Sequence, residues 1–278
     1  MRGLWTSLRL HPIGCVAHAF VAFSVAWTAT DALSHFFGWA ALNSPKWFGA
    51  IILCSVIYGT YRMWRPAQIV ITAPLSNVSI EVVFGDIFAQ EGVAAIPVNE
   101  FFDSEIGLPV SKKSLHGMFL QRCFAGHGEA FDRQVADKLG NIHPEVVSRR
   151  EGKGERFPIG TSAALEVGRR RYLLFAFTRT DTGTCKASAD VPQMFAALAG
   201  LWRTARTELG GDVLNVPLVG SGLSGVGLPT RDLLNMIILS FLDETRRQIV
   251  VHQLRVVLGW DRLPGVDLRE VKRYWEAK

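Results

Sequence analysis

The chain has 278 residues, 49% of them hydrophobic and 20% charged, with a mean hydropathy of +0.19 and a net charge of +5. That composition excludes a largely disordered chain and leaves room for one large domain or two smaller ones. Five of the 30 basic residues (Arg2, Arg9, Lys46, Arg62, Arg65) but one of the 25 acidic ones (Asp31) fall within residues 1–65, so the remainder is almost neutral. It lacks the broad basic face that phosphate backbones require, which excludes nucleic acid as the main partner. The four cysteines (Cys15, Cys54, Cys123, Cys185) are widely spaced with no CxxC pair. They indicate neither a metal site nor a disulfide framework, and they fit a reducing compartment.

Ile13 to Thr30 is a run of 18 residues without a formal charge, and a second apolar run, Trp47 to Tyr61, lies between Lys46 and Arg62. Both approach the length of a membrane span. Five of the eight tryptophans fall in this quarter, most near the ends of the runs, as interfacial aromatic belts require. Asn43-Ser44-Pro45 supplies a turn between them. Residues 1–66 therefore read as a transmembrane hairpin, with spans near 12–33 and 46–64, and residues 67–278 as a cytoplasmic domain. The flanking arginines place both ends on the cytoplasmic side of an inner membrane by the positive-inside rule. A cleaved signal peptide shares the basic start, but no small-x-small site precedes a polar stretch and a second apolar run follows. Asp31 and His35, four residues apart, share a helix face, which is either hydrated at the interface or turned toward other subunits or a water-filled path.

From Gln68 onward the pattern changes to short Val-, Ile- and Phe-rich strands and amphipathic helices. Strands are predicted at 69–72, 78–84, 94–98, 172–178, 213–218 and 254–259, and helices at 111–124, 129–139, 191–209, 230–247 and 268–277. Their alternation predicts a three-layer α/β/α domain around a mixed sheet. Gly140–Gly160 is polar and glycine-bearing and reads as a long loop. Arg169-Arg170-Arg171 reads as a solvated hairpin or strand start.

The densest motif is Val213-Leu-Asn-Val-Pro217-Leu-Val-Gly220-Ser221-Gly222-Leu223-Ser-Gly225-Val-Gly227. A strand enters a glycine-rich loop whose backbone N–H groups are free to turn toward an anion. No Lys-Ser/Thr follows Gly225, so it is not a P-loop. A dinucleotide fold is also excluded, because the next strand ends near Asp261, about twice as far on as the fingerprint places its acid. A second motif is Val78–Phe84 followed by Gly85-Asp86-Ile87, and then Ala95-Ile-Pro-Val-Asn99. Carboxyl ends of neighbouring strands are where α/β sheets bind ligands. Asp86 there fits an acceptor for an exocyclic amine and equally a helix N-cap.

Taken in order, Gly85-Asp86-Ile87, Ala95–Asn99, Pro158-Ile-Gly160-Thr161 and the loop Pro217–Gly225 resemble the macro domain, an ADP-ribose-binding α/β module. The resemblance covers roughly residues 78–260. It implies that Asp86 reads the adenine amine, that Gly220, Ser221, Gly222, Leu223 and Gly225 wrap the diphosphate, and that Ile87, Asn99, Ser114, His116 and Gly117 complete the ligand site. Hydrolytic members carry Asn-Ala-Ala-Asn, whereas this chain has Asn99-Glu100-Phe101-Phe102, so the ribose-orienting second Asn is absent. No nucleophile or triad partner can be assigned to His116. The expectation is a binding protein rather than an enzyme, with no cofactor beyond an ADP-ribose derivative; the alternative is a membrane-anchored ADP-ribosyl hydrolase. Two membrane helices joined to a divergent macro domain look like the membrane effector of type II Thoeris antiphage defence. That resemblance implies a TIR-domain, NAD-consuming partner that makes an ADP-ribose messenger carrying histidine. It also implies a homo-oligomer that disrupts lipid once the messenger binds.

Overall fold

The computed structural model describes residues 12–39, 44–72, 78–125, 127–222 and 225–276. The chain divides into two units, a helical one that ends at Ala67 and also takes in Asp267–Arg269, and an α/β one that begins at Gln68 and resumes at Glu270.

The first unit holds α1 (Pro12–Phe37) and α2 (Pro45–Met63). Ser44 caps α2 by accepting the Trp47 N–H at 3.3 Å, and Pro45 occupies the first turn, where its missing donor costs nothing. Asn43, the other turn residue singled out in the sequence, lies outside the described residues. The two helices pair antiparallel. Trp47 Nε1 donates to Thr30 Oγ1 at 3.4 Å, and Trp27 meets Phe48 edge-on at 5.3 Å. At the other end the Gly59 backbone lies so near Cys15 and Ala19 that a Cβ would fall 2.8 Å from the Cys15 carbonyl. Small residues permit that approach. Among the described residues one helix, α1, is long and apolar enough to cross a membrane. It runs four residues past the predicted span, and both Asp31 and His35 are exposed along it. In α2, Lys46 and Arg62 fall inside the helix ends and lower its mean hydropathy.

The second unit contains β1 (Gln68–Thr72), β2 (Ser79–Phe84), β3 (Val93–Asn99), α3 (Leu115–Phe124), α4 (Gly128–Leu139), β4 (Glu145–Val146), β5 (Glu155–Arg156), β6 (Ser162–Val167), β7 (Arg170–Thr180), β8 (Ala187–Ser188), α5 (Val191–Glu208), β9 (Leu214–Pro217), α6 (Thr230–Arg247), β10 (Gln253–Leu258) and most of α7 (Leu268–Glu276). The main sheet runs β1-β2-β10-β9-β3-β7-β6, with β8 beside β7. The β2, β10, β9, β3 and β7 neighbours are parallel, while β1, β6 and β8 are antiparallel additions. The expected mixed sheet is present. The inner strands are almost continuously apolar because both their faces are covered, whereas edge strand β1 alternates exposed and buried.

Ala94, Ile96 and Val98 of β3 and Tyr172, Leu174 and Ala176 of β7 share a core cluster with Phe119, Phe124 and Phe131 of α3 and α4. Phe119 stands edge-on to Tyr172 at 4.9 Å. The alternate residues of β7 face the other way, toward α5. There Trp202 is fully buried against Phe241 of α6 at 5.4 Å, and its indole N–H donates to Ser240 Oγ at 2.6 Å.

Three sequence expectations differ from the structure. The segment read as a long loop contains the β4–β5 hairpin, and β6 was not anticipated. Two-residue strands carry no periodicity, and Ser162-Ala-Ala lacks the bulky β-branched signal. The helix predicted to start at Ser111 begins at Leu115, because Ser114 accepts the Gly117 N–H at 3.0 Å and so caps it.

Replacing Trp202 with Ala should remove the α5–α6 aromatic contact and strand Ser240. Denaturant unfolding should show a loss of about 3–5 kcal/mol, against a much smaller loss for Trp202→Phe.

Candidate functional site

The carboxyl ends of β2, β3, β9 and β10 and the first turn of α3 surround a cleft of about 860 Å³. Of the site residues expected from the sequence, Asp86, Ile87, Asn99, Ser114, His116, Gly220, Ser221 and Gly222 line it. Gly117 and Gly225 are described but do not line it, and Leu223 lies outside the described residues. Residues not anticipated also line it: Lys113, Thr178, Cys185, Lys186, Asp261 and Arg262. Thr178 sits on β7, Asp261 and Arg262 on a 3₁₀ turn after β10, and the others on loops; their approach to the cleft depends on tertiary packing, so no local pattern marks them as lining it.

The glycine loop is shaped by its own chain and by one arginine. Gly220 has φ +80°, and Val226 donates back to its carbonyl at 2.9 Å. Ser221 Oγ donates to the Leu218 carbonyl at 2.7 Å, while Arg262 donates to the Ser221 carbonyl at 2.6 Å. The carbonyls are thus occupied from behind. Among the described residues the amides of Gly220, Ser221 and Gly222 make no hydrogen bond, which leaves them free for an anion. A Cβ on Gly222 would meet nothing within 4 Å, so that position opens onto space.

At the opposite wall Asp86 does cap a short 3₁₀ turn, Ile87–Ala89, through the Phe88 N–H at 3.0 Å. Its second oxygen accepts from Arg122 at 2.8 Å. Burial works against its ionisation, but the hydrogen bonds from Arg122 and Phe88 and the charges of Arg122 and Arg170 outweigh it and hold the carboxyl below the usual range. Arg170 is not the solvated residue that the arginine run suggested. It is half-buried and donates to the carbonyls of Phe88 and Gln90, bracing the turn that carries Asp86.

The floor is held by Asp103, which is completely buried. Asn99 accepts the Asp103 N–H at 3.1 Å and donates to its carboxylate at 2.8 Å. Arg149, from the β4–β5 hairpin, pairs with the same carboxylate at 2.8 Å, both side chains being 1% exposed. Lys153 donates its backbone N–H to it at 2.8 Å. The Arg149 guanidinium also lies 4.1 Å above the Phe101 ring and reaches Cys185 on the cleft rim. Phe102 takes a left-handed conformation (φ 48°), buries its ring fully and meets Phe157 edge-on at 5.6 Å.

His116 lines the cleft, yet its ring packs near Phe131, and its buried Nε2 has no hydrogen-bond partner. Burial, aided by the nearby Lys153 ammonium and opposed by the Asp103 backbone, pushes its pKa down to about 3. It is a neutral imidazole at physiological pH. Gly117, one residue on, is required because a Cβ there would strike the Ser111 carbonyl.

This arrangement of a mixed parallel sheet, a glycine loop after β9 and an acid after β2 is that of a macrodomain. The Oceanobacillus iheyensis macrodomain solved with ADP is similar over 77% of this chain and 100% of its own length, at 15% identity and a TM-score of 0.51. The same macrodomain with MES bound is similar over 76% and 100%, at 16% identity and a TM-score of 0.51. At such identity the likeness is one of fold. No curated protein matches the chain by sequence. A family model does: Thoeris protein ThsA, Macro domain, over residues 80–259, and the chain belongs to that family.

The buried imidazole has a consequence for stability. His116 is uncharged when folded but titrates near 6.5 when unfolded. Its contribution is therefore fully present above pH 6.5 and declines as pH falls toward about 3. Chemical denaturation between pH 7 and 5 should show wild type losing on the order of 1 kcal/mol per pH unit more than His116→Leu.

Proposed function

We propose that the cleft binds an ADP-ribose derivative and that the chain is the membrane-anchored effector of a Thoeris-type antiphage system. The observation that carries this reading is the convergence on one cleft of Asp86, the capped amino end of α3 and the free amides of Gly220–Gly222. A carboxylate acceptor suits an exocyclic amine, and the amides, with the Lys113 and Lys186 cations lining the same cleft, suit a diphosphate. The family to which the chain belongs and the ADP bound by the Oceanobacillus macrodomain support the same ligand class.

The reading is of a sensor and not of a hydrolase, and it calls for no cofactor beyond the ligand. Phe102, in the position of the missing ribose-orienting Asn, is turned into the core. The Asn99 amide is engaged with Asp103, and His116 is uncharged at neutral pH. In this reading α1 anchors the chain in the inner membrane with α2 crossing beside it, and both termini are cytoplasmic. Two helices cannot enclose a pore, so membrane disruption requires self-association. Ligand control then requires that the messenger, made by a TIR-domain NAD-consuming enzyme and carrying histidine, bind the assembled state better than the resting one.

Full-length protein in lipid nanodiscs tests the proposal. Saturating ADP-ribose or its histidine conjugate should raise the melting temperature by several degrees, and the conjugate should shift cross-linked protein in vesicles to larger assemblies. Gly222→Glu should abolish both responses while its own melting temperature stays within about 2 °C of wild type, because the new side chain enters open space. Unchanged melting with both ligands sinks the reading.

A further inference from the structure

Asp86 is held from outside the cleft more completely than binding alone requires. Its Oδ1 accepts the Phe88 N–H at 3.0 Å, and its Oδ2 accepts Nη1 of Arg122 at 2.8 Å. Arg122 stands two turns along α3 from the Ser114 cap, and its guanidinium also lies 4.6 Å from the centre of the Phe88 ring. One arginine therefore clamps both the carboxylate and the aromatic ring of the turn that bears it. The two side chains are about half exposed (50% and 48%), so the pair adds little to stability. Its effect is on orientation. An ionised carboxylate has about four acceptor sites; two are used here, and those that remain accept from donors only.

We propose that Arg122 is a positioning residue for base recognition, locking Asp86 as an oriented acceptor so that the cleft prefers a 6-amino purine over a 6-oxo purine. The proposal rests on the reading of the cleft as an ADP-ribose site and adds what sets its choice of base. A 6-oxo purine turns a carbonyl oxygen toward the carboxylate, and two acceptors repel. An Asp86 without its clamp rotates away from that repulsion and relaxes the choice. Arg122 lies outside the sequence motifs because it comes from the end of α3, 36 residues after Asp86.

Calorimetry on the full chain with ADP-ribose and inosine diphosphate ribose distinguishes the outcomes. Arg122→Met should weaken ADP-ribose about fivefold and leave the 6-oxo analogue within about twofold, while Arg122→Lys, which keeps a single charged donor, recovers most of the loss. In an Asp86→Asn background, Arg122→Met should have no further effect, because it acts through the carboxylate. Equal loss for both purines, no loss, a gain in ADP-ribose affinity, or a loss that persists beside Asp86→Asn each overturns the proposal. If wild type binds ADP-ribose and Arg122→Met binds it equally, this inference alone falls. If wild type binds neither nucleotide, the reading of the cleft falls with it.

Discussion

The carboxylate of Asp103, sealed from water, holds together pieces of chain that share no strand. It receives the Asn99 amide at the end of β3, the Arg149 guanidinium and the Lys153 N–H from the hairpin. A buried charge is tolerable only when its lone pairs are met, and withdrawing one partner costs about 3–5 kcal/mol. The β4–β5 hairpin has little apolar content of its own, with Val146 84% exposed, so this ion pair joins the buried Phe157 that follows β5 in tying it to the domain. Through Arg149 the same node reaches Cys185, and through Asn99 it fixes the bulge where β3 leaves the sheet. The cleft floor is thus an electrostatic construction laid over a hydrophobic sheet.

The two walls of the cleft are built by opposite means. On one side the glycine loop presents bare amides, its carbonyls tied back by Arg262, Ser221 and Val226. On the other, a single carboxylate is held by Arg122 and by a turn that Arg170 braces through two carbonyls. The glycine loop therefore brings donors to the cleft and Asp86 an acceptor.

Much of this was legible in the sequence. The apolar runs at 94–98 and 172–178, the glycine loop and the Gly-Asp-Ile strand end have local signatures; the two strands form there and extend one or two residues further at each end, and the loop and strand end both reach the cleft. Other features depend on residues distant in sequence. Arg149 and Asp103 are 46 apart, Arg122 and Asp86 are 36 apart, and Arg170 and Phe88 are 82 apart. No periodicity announces such pairs, and a run of three arginines looks solvated until the chain is folded. In the sequence Phe102 marks only a missing polar group; its left-handed turn into the core depends on Phe157, distant along the chain.

The glycines of this domain answer to different masters. Gly160 and Gly200 let α5 press against the turn before β6, and Gly117 lets α3 pass the Ser111 carbonyl; a methyl group at any of them meets backbone. Gly222 has an ordinary backbone and empty space beside it. Over evolutionary time the first group is policed by folding in every descendant, whereas among the described residues nothing in the fold forbids a side chain at 222. A lineage that needed no ligand there would be free to drift at that position while Gly117, Gly160 and Gly200 stayed put.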